Sequence, residues 1–178
     1  QIEGNQSQTF GLSSWLPWQG AGVPFFTETY AVRSYYLTGF GMIPAGDWSK
    51  NERKRADTIR GYTEARRIAP LLFGDYYPLT PYSLDTTSWI VWQFHRTDLN
   101  EGVIQAFRRP DAESETLTVK LCGLDAQQYY EIENLDGGKE VRRGEELMLG
   151  FEITLRDKPA AALLMLKALK KSTAIPQK

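Results

Sequence analysis

"SWIVWQFHRTDLNEGVIQAFRR", Ser88 to Arg109, decides the fold. Apolar and polar residues alternate on both sides of the "TDLNEG" turn. Ile90, Trp92 and Phe94 share one face of the first run, and Val103, Gln105 and Phe107 share one face of the second. Period-two alternation is the mark of a β-strand, because successive side chains point to opposite sides of the sheet. Working toward the C-terminus, "ETLTVKLCGL" sets Leu117, Val119 and Leu121 against Thr116, Thr118 and Lys120. "QYYEIENLDGGKEVRR" places two strands around "LDGG", where Asp-Gly and Gly-Gly accept the positive φ of a tight turn. "GFEITLRD" alternates Phe151, Ile153 and Leu155 with Glu152, Thr154 and Arg156, and "PAAALLMLKAL" closes the set. About seven strands joined by short turns read as an antiparallel β-sandwich.

The N-terminal side has a different texture. "LSSWLP" and "TGFGMIP" read as short strands. "TETYAVRSYYL" reads as a helix with Thr27 as N-cap and a stripe of Tyr30, Val32 and Tyr36. "SKNERKRADTIRGYTEARRIAPLLF" reads as an amphipathic helix. Ser49 and Glu52 form its capping box, and Ala56, Ile59, Tyr62, Ala65, Ala69 and Leu72 form its apolar stripe. Arg53 with Asp57, and Arg60 with Glu64, are spaced to pair one helical turn apart. Between the two textures "GDYYPLTPYSLDTT", Gly74 to Thr87, is a stiff linker held extended by Pro78 and Pro81. The fold class is α/β followed by all-β. The divisions are 1–80, 81–170 for the sandwich, and a polar tail at 171–178.

Bulk properties remove several classes of function. The chain has 178 residues and a formal net charge of −1, which argues against a polyanionic partner, whether nucleic acid or anionic membrane. Its longest apolar run, Ala160 to Leu166, is far short of the roughly 18 residues of a membrane span. One histidine, His95, and one cysteine, Cys122, make a metal site on those ligands unexpected, and no dinucleotide or phosphate loop points to a cofactor. His95 inside an alternating strand reads as structural. Cys122 beside Leu121 reads as a small buried or edge residue. Carboxylates occur at Glu3, Glu28, Asp47, Asp75, Asp85, Asp98 and Glu101, but spacing alone selects no catalytic pair.

Aromatics are the more pointed signal. Trp15, Trp18, Phe25, Phe26, Tyr30 and Trp48 crowd the first fifty residues, beside Gln19 and Glu28. Aromatic faces next to polar groups suit a sugar, whose C–H face stacks while its hydroxyls bond. Trp15, Trp18 and Gln19, on the Pro/Gly-broken "WLPWQGAG", are the candidate substrate-binding residues. Tyr30 and Phe26 read as core. An alternative places sugar on the sandwich, through Trp89, Tyr129 or Tyr130, as in a carbohydrate-binding module. A third role for the sandwich is a structural or oligomerisation domain.

The stretches "GNQSQTFGLSSWLPWQGAGV", "YAVRSYYLTGFGM", "GDYYPLTPYSLDTTSWIVWQFHRTDLNEGVIQAFRRP" and "LCGLDAQQYYEIENLD" resemble the C-terminal part of the α-galactosidases of glycoside hydrolase family 36, over residues 4 to 168. The resemblance implies residues 1–80 as the end of a (β/α)8 barrel, with "SSWLP" and "TGFGM" as its last two strands. It implies a sandwich as the domain after the barrel, and a retaining exo-glycosidase that cleaves terminal α-galactosides without a cofactor. The family's two catalytic aspartates lie in Lys-x-Asp and Trp-x-Ser-Asp patterns, and neither pattern occurs in this sequence. Both aspartates are therefore expected upstream, with no catalytic residue in this chain, which would be inactive alone. The implied partners are an α-galactoside bound by the complete barrel, the upstream part of the same enzyme, and a further copy in a homo-oligomer. The implied setting is soluble and bacterial, cytoplasmic or secreted.

Overall fold

The computed structural model describes residues 2–16, 24, 27–41 and 50–170. The chain runs α1 (Ile2–Leu12), α2 (Thr29–Arg33), α3 (Glu52–Ile68), a 3₁₀ turn (Ala69–Phe73), β1 (Asp75–Pro78), β2 (Ile90–Arg96), β3 (Glu101–Arg108), β4 (Thr116–Val119), β5 (Tyr129–Asn134), β6 (Lys139–Arg143), α4 (Gly144–Leu149), β7 (Phe151–Thr154) and β8 (Ala160–Ala168). Six strands form one sheet in the order β1-β2-β3-β8-β5-β6, and β4 and β7 form a second, two-stranded sheet. Every pairing among the described residues is antiparallel. The expected antiparallel set is therefore present, and the "LDGG" turn joins β5 to β6 with Gly137 and Gly138 at positive φ.

The large sheet is buried on both faces. On one face Ile90, Trp92, Phe94, Val103, Phe107, Ala161 and Leu163 pack with Phe10 of α1, Tyr30 and Val32 of α2, Ala65 and Ile68 of α3, and Leu71 and Leu72 of the 3₁₀ turn. On the other face Val91, Ile104, Ala106, Ala162, Leu164 and Leu166 pack with Val119, Phe151 and Ile153 of the small sheet and Leu147 of α4. Alternating residues of each central strand thus serve two cores. Polar side chains in these strands find partners inside: Trp92 Nε1 donates to Gln105 Oε1 at 2.9 Å.

The N-terminal third departs from several expectations. Of "LSSWLP", Leu12 to Leu16 are not a strand, and Pro17 lies outside the described residues. Leu12 ends α1, and Ser13 to Leu16 continue in helical bonds, with Ser13 N donating to Thr9 O at 3.0 Å and Leu16 N to Leu12 O at 2.8 Å. The helix escapes a periodicity search because its buried face is polar: Asn5, Gln6, Ser7 and Thr9 beside Phe10. Thr38 to Gly41 form a turn and a loop, not a strand, while Met42 to Pro44 lie outside the described residues. Glu28, not Thr27, occupies the cap of α2. Asn51 caps α3, its side chain accepting from Lys54 N at 3.0 Å, whereas Ser49 lies outside the described residues. The buried face of α3 is Thr58, Gly61, Glu64, Ala65 and Ile68, so Ile59 and Tyr62 of the expected stripe point outward. The rotation follows from Gly61 and Glu64, which meet the Tyr36 hydroxyl, at 3.1 Å and 2.9 Å respectively. Glu64 is consumed by Arg33, and Arg60 pairs with Asp57 at 3.3 Å instead of with Glu64.

Two buried arginines lock the helices to the sheet. Arg33 donates to Glu64, to Asp136 in the β5–β6 turn, and to Ala161 O at 2.8 Å. Arg109 donates to Gln6 Oε1, Ser7 Oγ and Glu3 O on α1, and to Ser83 O and Asp85 O in the segment before β2. Burial lowers the proton affinity of Arg109, and the attraction of Tyr30 and Glu3 offsets only part of that.

Candidate functional site

One cleft brings a sequence-predicted residue together with polar and apolar neighbours. Its volume is about 320 Å³. Ser13 to Leu16 form one wall and Gly74 to Tyr76 another, with Leu37, Thr38, Leu72, Phe73 and Phe94 between them. The local structure explains the shape. The chain leaves α1 in a tight turn that swings Trp15 outward, 71% exposed. Pro70 lies at the start of the 3₁₀ turn, just after Ala69, and Gly74 closes the turn and sends the chain straight into β1. Tyr76 packs on Phe94 at 5.3 Å and edge-on to Phe10 at 6.3 Å, and its hydroxyl donates to Phe10 O at 2.9 Å. Burial pushes the Tyr76 phenol above its ordinary range, so it stays a neutral donor.

The cleft has an apolar floor, two exposed aromatic rings at its rim (Trp15 and Phe73), and polar groups from Ser13, Ser14, Thr38 and Asp75. That combination fits a sugar ring better than a chain of hydrocarbon. Among the described residues, Asp75 is the one carboxylate lining it. Retaining hydrolysis needs two carboxylates about 5–5.5 Å apart, and the described lining supplies one.

Trp15 alone of the three predicted binding residues can be placed there, since Trp18 and Gln19 lie outside the described residues, as do Phe25, Phe26, Trp48 and Asp47. Tyr30 is core, as expected, and its hydroxyl donates to Glu3 Oε1 at 3.2 Å. The other described carboxylates have local duties. Glu28 accepts from Thr27 N at 3.1 Å, and Asp85 from Thr87 N at 2.9 Å. Asp98 pairs with Arg96 at 2.6 Å and Glu101 with Lys167 at 2.8 Å. Phe73, Asp75 and Tyr76 were missed because "FGDYYP" reads as the start of a linker. The sequence signal for them is the strand-like "DYYP", which pairs in register with β2.

The sandwich offers no aromatic platform through the three residues proposed for it. Trp89 is 7% exposed with its Nε1 donating to Ser114 O at 3.0 Å, Tyr130 is fully buried, and only Tyr129 reaches solvent. Cys122 is half-buried and held by its backbone to the Gln93 side chain, at 2.9 Å and 2.8 Å. His95 is buried. No helix among the described residues is long and apolar enough to cross a membrane.

No family model and no curated protein matches the sequence. Solved structures do. The family 36 α-galactosidase AgaB of Geobacillus stearothermophilus matches with a TM-score of 0.64 at 26% identity, and AgaA of the same organism with 0.62 at 26%. The galactosidase domain of the α-galactosidase–sucrose kinase AgaSK shares the fold, with a TM-score of 0.61 at 18% identity. Each match covers 79% of this chain and 19% of the other, so this chain spans about a fifth of the length of those structures. In structure the chain thus resembles a C-terminal part of a glycoside hydrolase family 36 α-galactosidase.

Proposed function

We propose that this chain is the C-terminal segment of a retaining exo-glycosidase, an α-galactosidase that removes terminal α-galactosyl units. The carrying observation is the structural match to the two Geobacillus stearothermophilus α-galactosidases over 79% of the chain. In this reading residues 1–80 complete a catalytic barrel, and residues 81–170 are its structural cap. The two catalytic aspartates come from upstream of this chain, in keeping with the missing Lys-x-Asp and Trp-x-Ser-Asp patterns. The cleft with Trp15 and Asp75 holds part of the sugar at the rim of the barrel's site. A capping role is supported by the buried arginines, which tie the N-terminal helices to the sheet.

The test is turnover of a nitrophenyl α-galactoside by chain of verified mass. The 20.3 kDa chain is expected to be inactive, and the same residues within a longer enzyme are expected to be active. Hydrolysis by the 20.3 kDa chain alone would overturn the assignment of the aspartates upstream. A longer enzyme that kept full stability after losing residues 81–170 would remove the capping role.

A further inference from the structure

The sequence holds one histidine, His95, and the fold treats it unusually. It is 1% exposed, and neither Nδ1 nor Nε2 has a hydrogen-bond partner. In the ladder it stands between Asp75 of β1 and Gly102 of β3. The absent side chain of Gly102 makes room for the ring, since a Cβ there would sit 3.0 Å from Nδ1. On the β1 side, Gly74 runs so close that a Cβ would come within 2.3 Å of the His95 carbonyl oxygen. β1 is a four-residue edge strand, bonded to β2 alone, and it carries the Asp75 and Tyr76 wall of the cleft.

We propose that His95 is a proton-operated latch on β1: uncharged, it leaves β1 zipped to β2 and the cleft wall closed, and charged, it releases that strand. Protonation makes both ring nitrogens donors, and the pocket offers neither an acceptor. A buried charge without a partner is expelled or neutralised. The imidazolium can reach Asp75 or water, and the short edge strand is the weakest barrier to either. Other charged groups nearby are engaged. Arg96 is bonded to Asp98 and to Pro70 O, and Glu101 to Lys167. Tyr77 of β1 is held neutral by burial, and the thiol of Cys122, in the loop after β4, donates to Lys120 O at 3.6 Å. Burial lowers the proton affinity of His95, with Asp75 pulling the other way, so release belongs to mildly acidic conditions.

A lone histidine gives one set of imidazole resonances, so the full chain can be titrated by NMR from about pH 8 to about pH 5 without assignment ambiguity. Amide hydrogen-exchange protection factors of Tyr77 and Leu79, whose N–H groups face β2, are measured over the same range. They are expected to fall about tenfold or more as the ring titrates, while amides of β3 and β8 keep theirs. In His95→Phe that step disappears. Asp75→Asn, a change at an exposed position, shifts the ring's midpoint to lower pH. A ring that titrates with β1 protection unchanged, an identical step in His95→Phe, or an unmoved midpoint in Asp75→Asn would each overturn the latch.

Discussion

Arg33 and Glu64 meet as a two-pronged pair inside the protein, Nε to Oε2 at 3.0 Å and Nη2 to Oε1 at 2.8 Å, with side chains 1% and 9% exposed. Burial works against the arginine's charge, and the bonds to Glu64 and Asp136 more than restore it, leaving its proton affinity raised. Removing one member strands the other in an apolar core. Arg33→Met is expected to cost about 3–5 kcal/mol in urea unfolding. The double change Arg33→Met with Glu64→Leu recovers most of that loss, because no buried charge is then left unpaired.

Arg109 tests a different balance, since its five donors all meet uncharged acceptors. Arg109→Lys keeps the charge and loses the planar fork. An ammonium has three donors, so Gln6, Ser7 or a carbonyl before β2 loses its partner, at about 2–3 kcal/mol in total. The unfolding midpoint reads the loss, and exchange of α1 amides should rise first.

Two glycines should respond in opposite directions. Gly74 has φ −80, so its backbone suits any residue, but a Cβ would collide with the main chain of β2. Gly74→Ala is expected to destabilise by about 1–3 kcal/mol or more. Gly11 lies in α1 with open space around it, and Gly11→Ala should stabilise by about 0.5 kcal/mol. Thermal melts of the two variants give the comparison.

His95 sets the sign of the acid response. Its folded-state proton affinity lies below the ordinary value of 6.5, so the unfolded chain takes up the proton first. Its contribution to stability is complete above that value and declines as the pH falls through 6.5. His95→Phe should flatten this part of the pH–stability curve measured by urea unfolding.

Trp15 separates binding from folding. At 71% exposure it carries little of the core, so Trp15→Ala should leave stability within about 0.5 kcal/mol. In the complete enzyme the same change is expected to weaken α-galactoside binding by about tenfold, the worth of one stacking contact. An unchanged KM would remove Trp15 from the site.

The sheet was legible and the helices were partly so, for one physical reason. In β4 and β7 the alternation of Leu117 and Ile153 with their neighbours matches both pleat and burial, whereas in β2 and β3 the alternate positions, such as Trp92 and Val91, are both buried and face the two cores. In α1 the buried side chains are mostly polar: Asn5, Gln6 and Ser7 are held by Ser34 and Arg109, Thr9 lies beside them, and Phe10 alone packs as an apolar residue. No hydrophobicity pattern reports a helix that docks through hydrogen bonds. In α3 the outward turn of Ile59 and Tyr62 follows from the Arg33–Glu64 pair, a contact 31 residues apart in sequence. The cleft was half legible: the sequence points to Trp15 by its setting, whereas Asp75 and Tyr76 join it only through the pairing of β1 with β2.

The two-cored sheet also governs how this chain tolerates insertions. On the helical side sit the large rings of Trp92, Phe94 and Phe107, and on the other side the small Val91, Ala106 and Ala162. One extra residue within β2 or β3 would slide every following side chain to the opposite face. Rings would be driven into the space of methyl groups, and alanines would be left facing the helices. Lengthening is therefore confined to the connections between strands, while β2, β3 and β8 can change in composition but not in length.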